Sequence, residues 1–181
     1  KYGLAGVRFG DAGYHTLAVD QRGQGLADRM VPDRLMGHVG EFQDYQKDVA
    51  TVLAAARELD LPEPFYMIGH SMGGCIGLRA LMNGLPVKAA AFSAPMWGIV
   101  MKPVVRPIAW VVSSLMRPTP LSKYYAPSTV PEPYVLKADF SDNRLTTDID
   151  MFDYMRLHVR EQTDLQLGGP SLQWLNEALR E

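Results

Sequence analysis

A chain of 181 residues with 47% hydrophobic and 21% charged side chains is one ordinary globular domain or a large piece of one, and its composition excludes a disordered chain. A net charge of −2 gives no electrostatic reason to expect nucleic acid as a partner, and the single cysteine, Cys75, excludes an internal disulfide and fits a reducing compartment. No apolar run is long enough to predict a transmembrane helix.

In chain order, Lys1 to Asp11 reads as the end of a helix with Leu4, Val7 and Phe9 as its apolar positions. Gly13 punctuates it, and Tyr14 to Val19 reads as a buried parallel strand. Asp20-Gln21-Arg22-Gly23-Gln24-Gly25 follows as a loop at the carboxyl end of that strand, the edge at which open α/β sheets bind ligands. Neither Asp20 nor Arg22 offers a nucleophile or base there, so both read as braces of the loop. Residues 26–40 are polar and broken by Gly and Pro, a surface connection. From Glu41 to Asp60 the apolar residues Phe42, Tyr45, Val49, Val52, Leu53, Ala56 and Leu59 trace a helical stripe, which Leu61-Pro62-Glu63-Pro64 ends.

The next stretch organises the chain. Phe65-Tyr66-Met67-Ile68 is a short apolar run that stops at Gly69-His70-Ser71-Met72-Gly73, and a helix-compatible segment continues to about Asn83, with Gly84 at its C-cap. This Gly-x-Ser-x-Gly pattern between strand and helix is that of a nucleophile elbow, a sharp turn that lifts a serine hydroxyl out of the backbone. Serine at such a turn is strained by about 1–3 kcal/mol. Glycine is expected at 69 and 73 because side chains two residues either side of the serine would collide. Gly74, Gly77 and Ala80 would let the helix pack closely on a sheet, with Cys75 a small buried residue one turn past Ser71. Val87 to Phe92 is a further apolar strand, and the alternation of strand and helix predicts parallel βαβ units.

After Ser93 the pattern changes. Residues 95–135 are dense in proline and carry Met96, Trp97, Met101, Trp110 and Met116. Residues 1–94 therefore read as a partial α/β core and 95–170 as an inserted helical cap over the carboxyl edge of the sheet. Residues 171–181 begin a helix returning to the rest of the core. Met96, Trp97 and Trp110 are candidates for an adaptable apolar substrate pocket. Thr147 to Glu161 is a further amphipathic helix. Gly168-Gly169-Pro170 ends it, and Ser171 caps a last helix carrying Leu172, Trp174, Leu175 and Leu179.

Three segments together carry a resemblance: Val19-Asp20-Gln21-Arg22-Gly23-Gln24-Gly25, Gly69-His70-Ser71-Met72-Gly73-Gly74, and Phe92-Ser93-Ala94-Pro95-Met96. They are similar to the α/β-hydrolase superfamily and, within it, resemble the bacterial lysophospholipase L2 and monoacylglycerol lipase branch. Leu167 to Ser171, before a Trp-bearing helix, resembles the end of that branch's cap. The resemblance implies a partial α/β-hydrolase fold: a mostly parallel sheet with flanking helices and a helical cap insertion. It also implies a serine esterase acting on lipid-like acyl esters, a lysophospholipid or monoacylglycerol. In that role Ser71 is the nucleophile and the Met72 backbone N–H half of the oxyanion hole, one such donor being worth about 3–4 kcal/mol. The location it implies is the cytoplasm of a bacterium or the periphery of its inner membrane, with peripheral membrane contact as a partner expectation.

The superfamily's order is Ser, then Asp or Glu, then His. The one histidine after Ser71 is His158, set in the amphipathic cap helix with no strand before it to aim its ring. His70 belongs to the motif but should face away from the hydroxyl. His15 and His38 precede Ser71 in the chain. Asp139, Asp142, Asp148, Asp150 and Asp153 all fall in the cap. The triad acid and base are therefore expected after residue 181. Both ends read as cut, since Lys1 is not methionine and Ala178 to Glu181 stops within a helical pattern, so the lack of a leader says little. The 181-residue segment alone is expected to have negligible esterase activity. No cofactor is expected: the four histidines show no metal-ligand spacing, and no Gly-x-Gly-x-x-Gly opens a helix. Two other readings stay open: a non-catalytic member of the fold binding a small hydrophobic ligand, and another hydrolytic reaction on the same scaffold.

Overall fold

The computed structural model describes residues 2–181; Lys1, the first residue of the expected N-terminal helix, lies outside the described residues. That helix, α1, runs Gly3–Asp11 and buries none of its residues. The strand expected over Tyr14 to Val19 is a correction: these residues are exposed, carry no regular secondary structure and join no ladder among the described residues. A strand needs a neighbour with which to exchange N–H···O bonds, and this stretch meets the sheet through a ring contact instead, Tyr14 edge-on to Tyr66 at 6.0 Å.

Helix α2 (Asp44–Glu58) follows its predicted stripe and buries Tyr45 and Ala56. Strand β1 (Tyr66–His70), helix α3 (Met72–Met82) and strand β2 (Ala89–Ser93) form a parallel βαβ unit in the register Tyr66 to Ala89 and His70 to Ser93. The second strand starts two residues later than predicted, where the Lys88 N–H reaches the Phe65 carbonyl at 2.8 Å. Helix α3 ends in a Schellman motif: the Leu85 N–H bonds the Ala80 carbonyl and the Gly84 N–H the Leu81 carbonyl, both at 2.9 Å, with Gly84 at φ +85°.

Beyond β2 the chain is helical: α4 (Val105–Met116), the short α5 (Tyr134–Lys137), α6 (Ile149–Glu161, capped by the Asp148 carboxylate) and α7 (Leu172–Arg180), with one-turn 3-10 segments between them. Helix α4 packs on α7, and α5 on α6. Gly168 and Gly169 thread between residues 35–37 and 129–131. A Cβ on Gly168 would lie 2.5 Å from the Pro131 carbonyl carbon, so the break predicted there is a close crossing of backbones.

The core is built on Val39, Phe42, Tyr45 and Ile76, with Trp174, Met72 and Met96 packed against it. Phe42 sits edge-on to both Tyr45 (5.3 Å) and Trp174 (5.6 Å), joining the start of α2 to α7. Burying each such side chain contributes about 1.5–3 kcal/mol, and burial pushes the Tyr45 phenol up to about 12. Here a second expectation is corrected. Residues 26–40 are not all a surface connection, because Met36, His38 and Val39 are buried. The Gly37 N–H donates to the Gly169 carbonyl at 3.1 Å and its carbonyl accepts from the Ser171 N–H at 2.8 Å, so this loop is paired to the start of α7. Pairing its backbone to a distant segment is what lets it run inside.

Candidate active site

Strand β1 ends at His70 and α3 begins at Met72. Between them Ser71 has φ +53° and ψ −124°, a conformation that L-residues with a side chain rarely adopt. Three backbone hydrogen bonds hold it. Its N–H donates to the Ser93 carbonyl at 3.2 Å, and its carbonyl accepts from the N–H groups of Gly74 and Met96, both at 2.9 Å. The side chain is exposed. Met72 is the first residue of α3, so its N–H has no carbonyl within the helix and stands at the positive end of the helix dipole. Such a group is ready to receive a negative oxygen.

The glycines of the motif are not equivalent. A Cβ on Gly69 would lie 2.9 Å from both the Gly73 carbonyl oxygen and the Gly74 Cα, backbone that cannot step aside. At Gly73 a Cβ would meet nothing within 4 Å, which corrects the expected collision there. The crowded position is Gly74, whose Cβ would fall 2.5 Å from the Pro95 Cβ. One turn later, a Cβ on Gly77 would fall 2.8 Å from the Met67 Cε.

The loop of Asp20 to Gly25 lies against this turn. Gln24 Nε2 donates to the Met72 Sδ at 3.6 Å. Asp20 Oδ2 accepts from the Leu26 N–H at 3.0 Å, with Gly25 at φ +51°; Gly23, at φ +77°, lies against the His38 carbonyl. Arg22 Nε donates to Asp48 Oδ2 at 2.7 Å, and a second guanidinium nitrogen stands 3.6 Å from Asp44. Hydrogen bonding to Asp48 holds the guanidinium pKa above its ordinary value. Asp20 and Arg22 thus tie the loop to itself and to α2.

The histidines are engaged elsewhere. His70 Nδ1 stands 3.4 Å from Ser93 Oγ, and its ring meets Tyr2 edge-on at 5.9 Å. His158 tilts against Tyr154 on α6 at 4.2 Å. His38 is buried with Nδ1 2.8 Å from Ser171 Oγ, and burial, then the nearby Lys123, lower its pKa. His15 lies on the exposed segment after α1. Of the three pocket candidates, Met96 is the one hydrogen-bonded to Ser71. Trp97 is exposed, edge-on to Phe92 at 5.6 Å, and Trp110 sits partly exposed on α4. Two residues that the sequence reading quoted within motifs but gave no role belong to the site's frame: Gln24, and Ala94, whose φ of +42° turns the chain between Ser93 and Met96.

Residues 1–180 match the family model described as serine aminopeptidase, S33 (Hydrolase_4). The chain is 28% identical to the probable lysophospholipase L2 of Haemophilus influenzae over 180 residues, covering 99% of this chain and 55% of that protein. It is 29% identical to the lysophospholipase L2 of Escherichia coli K12 over 177 residues, covering 92% and 48%. A shorter match, 37% over 68 residues, covers 38% of this chain and 24% of the phospholipase YtpA of Bacillus subtilis. The chain spans about half the length of the curated lysophospholipases it matches.

Proposed function

Since the chain belongs to the serine aminopeptidase S33 family of α/β-hydrolases, we propose that the full-length protein is a serine hydrolase of lipid-like acyl esters, with Ser71 as its nucleophile. The observation that carries this reading is the backbone of Ser71: exposed, at φ +53°, between a strand and the free N-terminus of a helix. A strained, exposed serine at that junction supports a chemical role for its hydroxyl. It places an oxygen where a substrate carbonyl can reach both it and the Met72 N–H.

In the proposed reaction a general base takes the Ser71 Oγ proton as the oxygen bonds to the acyl carbonyl carbon. The carbonyl oxygen gains the negative charge beside the Met72 N–H, and the alcohol leaves with a proton from the same base. Water then attacks the acyl-enzyme by the same route. We place the base and its acid partner outside these 181 residues: His38 and His70 stand against Ser171 and Ser93, His158 tilts against Tyr154, and His15 lies on the exposed segment after α1. Residues 95–170 act as the cap, with Met96, Trp97 and Trp110 offered to the acyl chain. Although the family description names a peptidase, lipid esters are preferred because relatives matched across most of this chain are named lysophospholipases.

A fluorophosphonate probe on the full-length protein tests the reading. Covalent labelling that Ser71→Ala abolishes is expected, together with loss of turnover of a p-nitrophenyl acyl ester. A folded protein that is not labelled would instead favour a ligand-binding member of the fold.

A further inference from the structure

The first turn of α3 is short of side chains. Met72 is followed by Gly73 and Gly74, and a Cβ on Gly73 would meet nothing within 4 Å. Glycine leaves a backbone free to swing, so the peptide between Ser71 and Met72 is not stiffened from within the helix. That peptide is planar, and it carries the Ser71 carbonyl at one edge and the Met72 N–H at the other. The carbonyl is tied by the N–H groups of Gly74 and Met96, both at 2.9 Å. Fixing the other edge falls to the Met72 side chain. It packs against the core cluster of Val39, Phe42, Tyr45 and Ile76, and its Sδ accepts from Gln24 Nε2 at 3.6 Å.

Gln24 can bear on Met72 because its own place is over-determined. Its N–H donates to the Gln21 carbonyl at 2.9 Å, and its carbonyl accepts from the Ala27 N–H at 3.0 Å. Gly23 before it, at φ +77°, has no room for a Cβ against the His38 carbonyl, and Gly25 after it, at φ +51°, has none against the Asp20 carboxylate. Asp20 turns back on the loop through the Leu26 N–H, and Arg22 grips Asp48 on α2. Among the described residues, Gln24 is the one side chain of this loop with a hydrogen bond to α3. A thioether is a weak acceptor, so the contact adds little to stability; its effect is on where Met72 sits. We infer that Gln24 is a positioning residue for the oxyanion donor: by holding the Met72 thioether it fixes the Ser71–Met72 peptide and aims the Met72 N–H at the charge developing on the substrate carbonyl oxygen. The inference rests on Ser71 as the nucleophile. Aim matters because such a donor acts at about 2.7–3.1 Å from the oxyanion, and about 1 Å of misplacement costs up to about a hundredfold in rate.

Kinetics of the full-length protein on a soluble short-chain p-nitrophenyl ester test it, together with inhibition by an alkylboronic acid, whose boron bonds the Ser71 Oγ to give a tetrahedral anion. Gln24→Ala is expected to lower kcat by about ten- to a hundredfold while KM stays within about twofold. Boronic acid binding should weaken by a factor similar to the loss in kcat, and the cooperative melt should be kept. Met72→Leu retains the backbone N–H and the bulk but loses the sulfur, so it should show the same pattern. Gln24→Ala/Met72→Leu should then be no slower than Gln24→Ala alone. Gln24→His returns a side-chain N–H at similar reach and should recover part of the loss. Unchanged kcat and boronic acid affinity in Gln24→Ala overturn the inference, as do losses that multiply in the double variant, since Gln24 would then act apart from Met72. A Gln24→Ala protein without a cooperative melt also overturns it, by making the residue a structural one. Wild-type protein that a fluorophosphonate does not label at Ser71 sinks the catalytic reading and this inference with it; a labelled, active wild type with unaffected Gln24 variants sinks this inference alone.

Discussion

The Met96 N–H donates to the carbonyl oxygen of Ser71 at 2.9 Å, so the loop after β2 closes on the turn that presents the hydroxyl. Ser93, three residues earlier at the end of β2, accepts the Ser71 N–H through its carbonyl at 3.2 Å. Between these two anchors Ala94 is itself at φ +42°. Two side-chain-bearing residues at positive φ are therefore fixed by the same pair of hydrogen bonds, each strained by about 1–3 kcal/mol. Strain at such a place persists because neighbouring hydrogen bonds over-determine it.

Replacing Ser71 separates strain from chemistry. Ser71→Gly relieves the positive φ and Ser71→Ala does not, so the glycine variant should be the more stable of the two by about 1 kcal/mol. Both should lower ester turnover of the full-length protein by at least about 10³-fold. Urea denaturation of the two variants reads the first difference. Equal stabilities would mean that the turn is not strained in solution.

The motif's glycines should behave unequally. Gly69→Ala drives a methyl into the backbone of residues 73–74 and should cost about 1–3 kcal/mol, with loss of activity as the turn shifts. Gly73→Ala meets open space on a helix and should be neutral or stabilise by about 0.5–1 kcal/mol. Comparable losses at both positions would contradict this packing.

Much of this could be read along the chain, and the failures have one cause. The turn at Ser71, the stripe of α2 and the Ser171 cap of α7, whose Oγ accepts from the Trp174 N–H at 3.1 Å, depend on residues a few positions apart. The misreadings depend on distant partners. Tyr14 to Val19 has the composition of a strand, but a ladder is made by two strands, and composition describes one. Residues 36–39 look like a surface loop until the backbone of 168–171 supplies their hydrogen bonds from more than 130 positions away. Gly73 and Gly74 look interchangeable, and Pro95 decides between them. Likewise the polar inner face of α4 becomes legible when Asn176 is placed against it.

The brace of the 20–25 loop should be measurable. Arg22 lies between Asp44 and Asp48; Arg22→Ala leaves Asp44 with Lys47, 2.7 Å away, but takes from Asp48 the guanidinium that grips it. A loss of about 1–2 kcal/mol is expected, between the values of exposed and buried pairs. Arg22→Lys keeps the charge but not the fork that grips Asp48, so it should recover less than half of that loss. Full recovery by lysine would reduce the contact to simple charge balance.

The pair of His38 and Ser171 makes stability depend on pH, and the sign follows from the direction of the shift. Burial lowers the His38 pKa in the folded protein, with Lys123 adding to the effect, so the unfolded chain binds the proton more readily. The stability contributed by neutral His38 is complete above the unfolded value of about 6.5 and is lost as pH falls below it. Acidification puts a charge on a buried ring whose Nδ1 stands 2.8 Å from Ser171 Oγ and which has Lys123 nearby. The contact between residues 37–38 and the start of α7 should therefore weaken first. Thermal melts of wild type and His38→Gln between about pH 7.5 and about pH 5.5, about one unit either side of 6.5, check this. The wild-type midpoint should fall more steeply than that of the variant below about pH 6.5. Parallel curves would mean that His38 is not the group that titrates.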